Sequence, residues 1–403
     1  MLQCKTKWKK EHLKNILEDS YAGGTPNRSR EDFYGGTIPW VTSGEVNQSK
    51  IIETNEYITD LGYKNSSAKM IPKNTVLLAM YGATAGQVSM LKIPATSNQA
   101  VLAIIPCKEL DKNYLYHNLR YFKERILFSA QGSGQTNLSK ELVEKYKITF
   151  PTNTEEQAKI ADILSTCDEV IEKTEETIEK YKQIKAGMMQ DLFTRGLDEN
   201  GKLRPTYTQA PDLYKYSKEL DRHIPKEWDV KRLDEIGEMK SGDGITAKNI
   251  FITGIYPVYG GNGLRGYTSN YTHEGEYVLI GRQGALCGNI NKASGKFFAS
   301  EHAVVVTLYD DNNVDWVFYK YTDLNLNQYS EASAQPGLSV QKISKIKIDI
   351  PKGPEQKNIS IRLNLVDKKI KLEAEYLNKY KQIKQGLMKR LLTPPADAEI
   401  VEE

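Results

Sequence analysis

YKQIKAGMMQDLFT at Tyr181–Thr194 and YKQIKQGLMKRLLT at Tyr380–Thr393 share nine of fourteen residues at a spacing of 199. Self-similarity at a fixed spacing marks a chain built from copies of one unit. The match extends backwards. KITFP at Lys147–Pro151 pairs with KIDIP at Lys347–Pro351, and Gln135 and Leu138-Ser139 pair with Gln335 and Leu338-Ser339. Further upstream, Gly82-Ala83 and Gly86 resemble Gly284-Ala285 and Gly288, Ala100-Val101 resembles Ala303-Val304, and WKKEHL at Trp8 resembles WDVKRL at Trp228. The chain reads as two copies of a globular head followed by a long helix.

The helical stretches carry a register. Ile160, Leu164, Cys167, Ile171, Thr174, Ile178, Tyr181, Met188 and Leu192 follow alternating steps of four and three, with Lys185 taking one seam position. The second copy places Ile359, Leu363, Val366, Ile370, Glu373, Leu377, Tyr380, Leu387 and Leu391 at the same positions. An apolar seam held over about four to five heptads is expected to form a coiled coil, with the polar Thr174 and Glu373 helping to fix its register. Each helix is expected to run about 38 residues, or about 57 Å. An antiparallel pairing would relate the two heads by an approximate twofold axis.

Residues 1–150 are expected to form the first head, 151–196 its helix, 197–227 a connector, 228–351 the second head, and 352–403 the second helix and tail. Within the heads, Thr75–Met80, Ala100–Pro106, Glu276–Gly281 and His302–Tyr309 read as strands, and Asn113–Ile126 and Val314–Thr322 as helices. The fold class is mixed α/β (α+β), with curved, largely antiparallel sheets and an internal twofold repeat.

Composition excludes several classes. Apolar residues make up 39% and charged residues 27% of 403, as in an ordinary globular chain. No stretch approaches the roughly 20 apolar residues of a membrane span, and Met1–Lys10 lacks the apolar centre of a secretory signal. Cys4, Cys107, Cys167 and Cys287 are widely separated, which argues against a disulfide framework or zinc site and for a reducing cytoplasm. The net charge of +3 hides a pattern. Residues 1–150 carry 20 basic against 14 acidic groups, and 151–200 carry 6 against 12, so a basic head adjoins an acidic helix. Such a head can meet phosphates.

The loops of both heads are rich in Gly, Asn, Gln and basic residues. Glycine permits close backbone approach, and Arg, Lys, Asn and Gln can make paired contacts with base edges. In contrast, GGNGLRGY (Gly260–Tyr267) lacks the strand–glycine–helix context of a dinucleotide site. A phosphate-binding GxxxxGK[ST] loop, a GxSxG elbow, an amino-methyltransferase [ND]PP[FY] tetrapeptide and a nuclease PD…ExK cluster are all missing. Glu301-His302 beside Arg282 could be drawn as an acid–base pair, yet no nucleophile or metal ligand accompanies it. The chain is not expected to be an enzyme.

GGTPNRSREDFYGGTIPWVTSGEV (Gly23–Val46) resembles the opening of a target-recognition domain in type I restriction–modification specificity subunits. IPKEWDVKRLDEI (Ile224–Ile236), YPVYGGNGLRGY (Tyr256–Tyr267), GLSVQKISKIKIDIPKGPEQ (Gly337–Gln356), RGLDENGKLRP (Arg195–Pro205) and both YKQIK tails are similar to the same family. The resemblance covers essentially the whole chain. It implies that each target-recognition domain reads one half of a split sequence in double-stranded DNA. The helix pair would set the spacer and dock two modification (methyltransferase) subunits. S-adenosylmethionine, ATP and Mg2+ would sit on partner subunits, with adenine-N6 methylation there and cleavage by motor–nuclease subunits. By the same resemblance, DNA contacts fall at Thr25, Arg28, Arg30, Ser43, Tyr81, Thr84, Gln135 and Asn137 in the first head. In the second they fall at Lys240, Lys248, Tyr259, Asn262, Arg282, Gln283, His302 and Gln335. Two other readings share these features: the recognition subunit of a related methyltransferase–nuclease that cuts on both sides of its site, and a coiled-coil adaptor that binds no DNA.

Overall fold

The computed structural model describes residues 7–130, 137–284, 286–309, 311–330 and 337–402. The chain divides into two compact units, Met1–Glu175 with Tyr376–Glu403, and Glu176–Glu375. Eight α-helices are found among the described residues. They are α1 (Asp60–Lys64), α2 (Lys112–Tyr121), α3 (Lys123–Ala130), α4 (Lys140–Lys145), α5 (Thr154–Thr194), α6 (Val314–Asp323), α7 (Val340–Ile343) and α8 (Gly353–Leu391). The helix expected over Asn113–Ile126 is two helices, broken at Phe122, whose N–H already closes α2 on the Asn118 carbonyl.

In the first unit a five-stranded sheet runs in the order Leu17–Ala22, Val101–Pro106, Val76–Ala79, Val88–Leu91, Lys50–Ile51. A three-stranded sheet of Glu56–Ile58, Tyr34–Val41 and Thr96–Ser97 lies beside it in sequence. In the second unit a six-stranded sheet runs Gly237–Ser241, Ala303–Leu308, His273–Gly281, Ile290–Ala299, Tyr256–Gly260, Gly263–Thr268. Most pairs are antiparallel, with parallel exceptions such as Tyr34–Val41 against Thr96–Ser97 and Tyr256–Gly260 against Ile290–Ala299. The strands of continuous apolar sequence, such as Val76–Ala79 and Ala303–Leu308, are buried on both faces at their centres.

Each unit's core takes in the ends of both long helices. In the first, Ile160, Ala161 and Leu164 of α5 join Leu392, just beyond α8, in one apolar cluster with the sheet, and Leu387 and Leu391 pack against it. In the second, Leu192 and Phe193 of α5 join Ile359 and Leu363 of α8, with Met188 alongside. The seam is therefore deepest where a head covers it. Ile171 is buried, whereas Ile178, Tyr181, Val366, Ile370, Leu377 and Tyr380 are half-buried. Thr174, also buried, turns its hydroxyl onto the Val170 carbonyl (2.7 Å), so its polarity is satisfied within its own helix.

The same glutamine fastens each helix to its head. Gln157 donates to the Glu109 and Pro151 carbonyls and accepts from Asp111 N–H at 2.7 Å. Gln356 donates to the Pro351 carbonyl and to Asn312, and accepts from Asn313 N–H at 2.9 Å. Asp111 and Asn313 are in turn the N-caps of α2 and α6.

The connector is a built part of the second unit. Arg204, its side chain only 7% exposed, holds Glu355 through two bonds of 2.6 and 3.2 Å and also reaches Glu227 at 2.9 Å. Glu355 further accepts from Trp228 Nε1 (3.1 Å) and Leu197 N–H (2.7 Å). No counterpart of this clasp is found among the described residues of the first unit. There the strand Glu399–Glu402 adds in parallel to Lys7–His12, which itself pairs with Lys147–Pro151.

Candidate nucleic-acid interface

At the tip of each head the backbone adopts one hydrogen-bonded frame. Met80 N–H donates to the Ala100 carbonyl (2.7 Å), and the Met80 carbonyl accepts from Leu138 N–H (2.8 Å). Arg282 makes the same two bonds, to the His302 carbonyl and from Leu338 N–H, both at 2.9 Å. Gly86 N–H reaches the Ala79 carbonyl (2.8 Å), as Gly288 N–H reaches Gly281 (2.7 Å). Gly24 N–H to Ser97 and Asn98 N–H to Val41 are repeated by Asp243 N–H to Ala299 and Ser300 N–H to Tyr259. Gly86 and Gly288 have φ of 77° and 85°, a conformation that costs other residues about 1–3 kcal/mol. At Gly288 a Cβ would also lie 2.3 Å from the Asn327 backbone nitrogen.

The frame sets the correspondence between heads and corrects one inference from sequence. Ala79 pairs with Val101 and Gly281 with Ala303, so Ala100 corresponds to His302 and Val101 to Ala303. The apparent match of Ala100-Val101 with Ala303-Val304 is displaced by one residue. The repeat of alanine and valine had outweighed a slip that only cross-strand pairing can exclude. By the same register Tyr81 corresponds to Gln283, Thr84 to Leu286, Gln99 to Glu301 and Ser43 to Gly261. The backbone is shared, and the side chains it presents are different.

In the second head several of the expected residues converge. Arg282 is half-buried and its guanidinium meets the Ser241 hydroxyl at 3.1 Å. A Cβ placed on Gly261 would stand 3.1 Å from the Gln283 carbonyl and 3.3 Å from that of His302, so the Tyr259–Asn262 turn rests against both. Asn262 accepts from Asn289 (3.3 Å), and His302 Nε2 stands 3.2 Å from Glu301. Tyr259 is half-buried, edge-on to Phe297. Lys240 is exposed and bonded to Glu238 (2.7 Å), whose carboxylate raises its pKa. Lys248 is exposed in the turn Ala247–Asn249.

The first head divides its expected residues into two groups. Thr25, Ser43, Tyr81 and Thr84 belong to the tip frame. Thr25 donates to Gln99, Tyr81 is exposed, Thr84 closes the turn Gly82–Thr84, and Ser43 opens the turn capped by Thr42 and Glu45. Asn137 is exposed next to Leu138. Arg28 and Arg30, by contrast, are committed within their own head. Arg28 bonds Glu56 at 2.6 Å and lies 4.7 and 4.8 Å from the Tyr34 and Trp40 ring centroids, while Arg30 bonds Asp32. Gln135 and Gln335 lie outside the described residues. Sequence reading missed Ser241, Asn289 and Gln99, and weighed Glu301 only as half of an acid–base pair. Gln99 and Glu301 follow directly from the one-residue correction, because they precede the aligned pair.

The geometry above meets its relatives in sequence and in fold. The chain matches the family described as type I restriction modification DNA specificity domain twice, over residues 5–183 and 225–382. It is 30% identical over 357 residues to the type I restriction enzyme EcoprrI specificity subunit of Escherichia coli, spanning 86% of this chain and 84% of that one. The fold is similar to the type I restriction–modification S subunit from M. genitalium, with a TM-score of 0.67 at 21% identity over 98% of this chain and 99% of that chain. A chain from a structural study of complex assembly and conformational transition in the type I R-M system has a TM-score of 0.53 at 15% identity, over 96% of this chain and 97% of that chain. Two specificity domains in tandem, carried on one repeated backbone frame, place this chain in the family of type I restriction–modification DNA specificity subunits.

Proposed function

We propose that each head reads one half of a bipartite sequence in double-stranded DNA through its tip frame, without catalysing any step itself. The observation that carries this reading is the shared frame with unlike side chains. Two recognition modules that must read different half-sites need the same docking backbone and different base-facing groups. Arg282, Gln283, Asn262 and His302 in the second head, and Tyr81, Thr84, Ser43 and Asn137 in the first, stand at the positions for such contacts. Gln135 and Gln335 are assigned the same role on the family resemblance alone. Lys240, Lys248, Arg28 and Arg30 are assigned to phosphates or to local support, since the arginines and Lys240 already hold carboxylates.

α5 and α8 form the antiparallel ruler that fixes the spacer and docks the two modification subunits. Exposed apolar residues on both helices support a docking role, among them Ile163, Val170 and Ile184 on α5 and Leu365, Leu372 and Ile383 on α8. S-adenosylmethionine, ATP and Mg2+ belong to those partners and to the motor–nuclease subunits, which perform adenine-N6 methylation and cleavage in the cytoplasm.

Binding of the full chain with its modification subunits to the genomic methylation motif should weaken steeply as salt rises. Arg282→Ala should cost about 1–3 kcal/mol, confined to one position of one half-site. Equal weakening on every duplex would reassign Arg282 to a phosphate. A DNA affinity indifferent to salt and sequence would favour the protein-binding adaptor.

A further inference from the structure

At one pair of equivalent positions the first tip presents a carboxamide, Gln99, and the second a carboxylate, Glu301. Gln99 is exposed and accepts the Thr25 hydroxyl, which leaves its amide N–H groups without a partner among the described residues. Glu301 stands at the equivalent position, with its side chain 40% exposed. One of its oxygens accepts Ile245 N–H at 3.3 Å, and the other faces His302 Nε2 at 3.2 Å. Among the described residues no lysine or arginine pairs with Glu301.

A carboxylate on a DNA-reading surface is a demanding choice. It repels the phosphates and can only accept hydrogen bonds, so its sole favourable partner on a base edge is an exocyclic amino group. A carboxamide in the same place can instead offer N–H donors to an acceptor edge. The backbone frame delivers both side chains to the same point of the two heads, so the difference between them is chemical rather than positional.

We propose that Gln99 and Glu301 are paired specificity-determining positions. Glu301 accepts from the amino group of a cytosine or adenine in one half-site. Gln99 donates to a base that presents an acceptor edge at the corresponding place in the other. This inference rests on the DNA-recognition reading above and names two of the residues that perform it.

The test is selection from randomised duplexes by the full-length chain co-purified with its modification subunits, as wild type, Glu301→Gln and Gln99→Glu. In the wild type, one position of the second head's half-site should be fixed as cytosine or adenine. Glu301→Gln should relax or replace that position alone, lowering the preference for the original base about ten- to a hundredfold. The other half-site serves as the internal control for folding. Gln99→Glu should alter one position of the first head's half-site and leave the second intact. Uniformly stronger binding of Glu301→Gln to all duplexes would show a charge acting on phosphates only and overturn the inference. Unchanged motifs in both variants would do the same. A wild-type complex that selects no sequence would instead bring down the DNA-recognition reading itself.

Discussion

The two ends of the helix pair use the same two residues in opposite roles, and one end is far more buried than the other. In the first unit Asp168 of α5 holds Lys384 of α8. In the second, Asp367 of α8 holds Lys185 of α5 at 2.7 Å. Asp168 and Asp367 occupy equivalent positions of the repeat, as do Lys185 and Lys384, so the contact is exchanged between copies. The head-side residue differs. α2 brings His117 to 3.9 Å from Asp168 and Arg120 to 3.2 Å, whereas α6 brings the Tyr319 hydroxyl to 2.6 Å from Asp367. Side-chain exposure is 12% for Asp168 and 10% for Lys384, against 36% for Asp367 and 23% for Lys185. An ion pair repeated between the two copies can therefore carry unequal energetic weight, because desolvation, not the presence of the pair, sets its strength.

That inequality can be broken most directly at Asp168. Asp168→Asn leaves Lys384 and Arg120 without their carboxylate in a dry setting and should cost about 3–5 kcal/mol, read from denaturant midpoints. Burial already pushes the Lys384 pKa down, with Arg120 adding to the effect, so removing the acceptor works against a strained charge. A cost below that of a surface pair would show that water replaces the carboxylate.

The next effect distinguishes the heads by pH. Burial holds His117 at about 3, against 6.5 for the free ring, with Asp168 opposing and Lys384 and Arg120 reinforcing the shift. The folded value is depressed, so below 6.5 the unfolded chain takes up a proton that the folded chain refuses. Stability should fall as pH drops from about 6.5 towards about 3, by about 2 kcal/mol at pH 5. His117→Gln should flatten this slope, and hydrogen exchange in α2 is the appropriate readout. α6 should show no corresponding slope from Tyr319, whose pKa is raised by burial and then by Asp367. Identical slopes in α2 and α6 would remove the distinction.

The smallest effect is expected at the exposed end. Asp367→Asn should cost about 1 kcal/mol, since solvent screens the pair it makes with Lys185. Equal losses for Asp168→Asn and Asp367→Asn would mean that burial does not grade the two ends.

Much of the architecture was legible in the amino-acid order. The repeat at 199 residues, the heptad positions from Ile160 to Leu192 and from Ile359 to Leu391, and the central strands all reflect local periodicity, which records the face each residue turns to the core. Family membership followed from the same segments. The site was less legible. Arg28 and Arg30 look like free cations in the sequence, but Glu56 and Asp32 occupy them, and Glu56 is 28 residues from Arg28.

Sequence by itself determined that this protein has two heads, two long helices and one repeated plan. Only the tertiary structure decided that the lysines at this seam position, Lys185 and Lys384, find Asp367 and Asp168 as partners, at separations of 182 and 216 residues. It alone set the register that aligns Ala100 with His302 and thereby Gln99 with Glu301. Apolar periodicity is a local property of the chain. Charge pairing and strand register depend on distant segments being brought within hydrogen-bond range, and no local pattern encodes which of several carboxylates or registers wins.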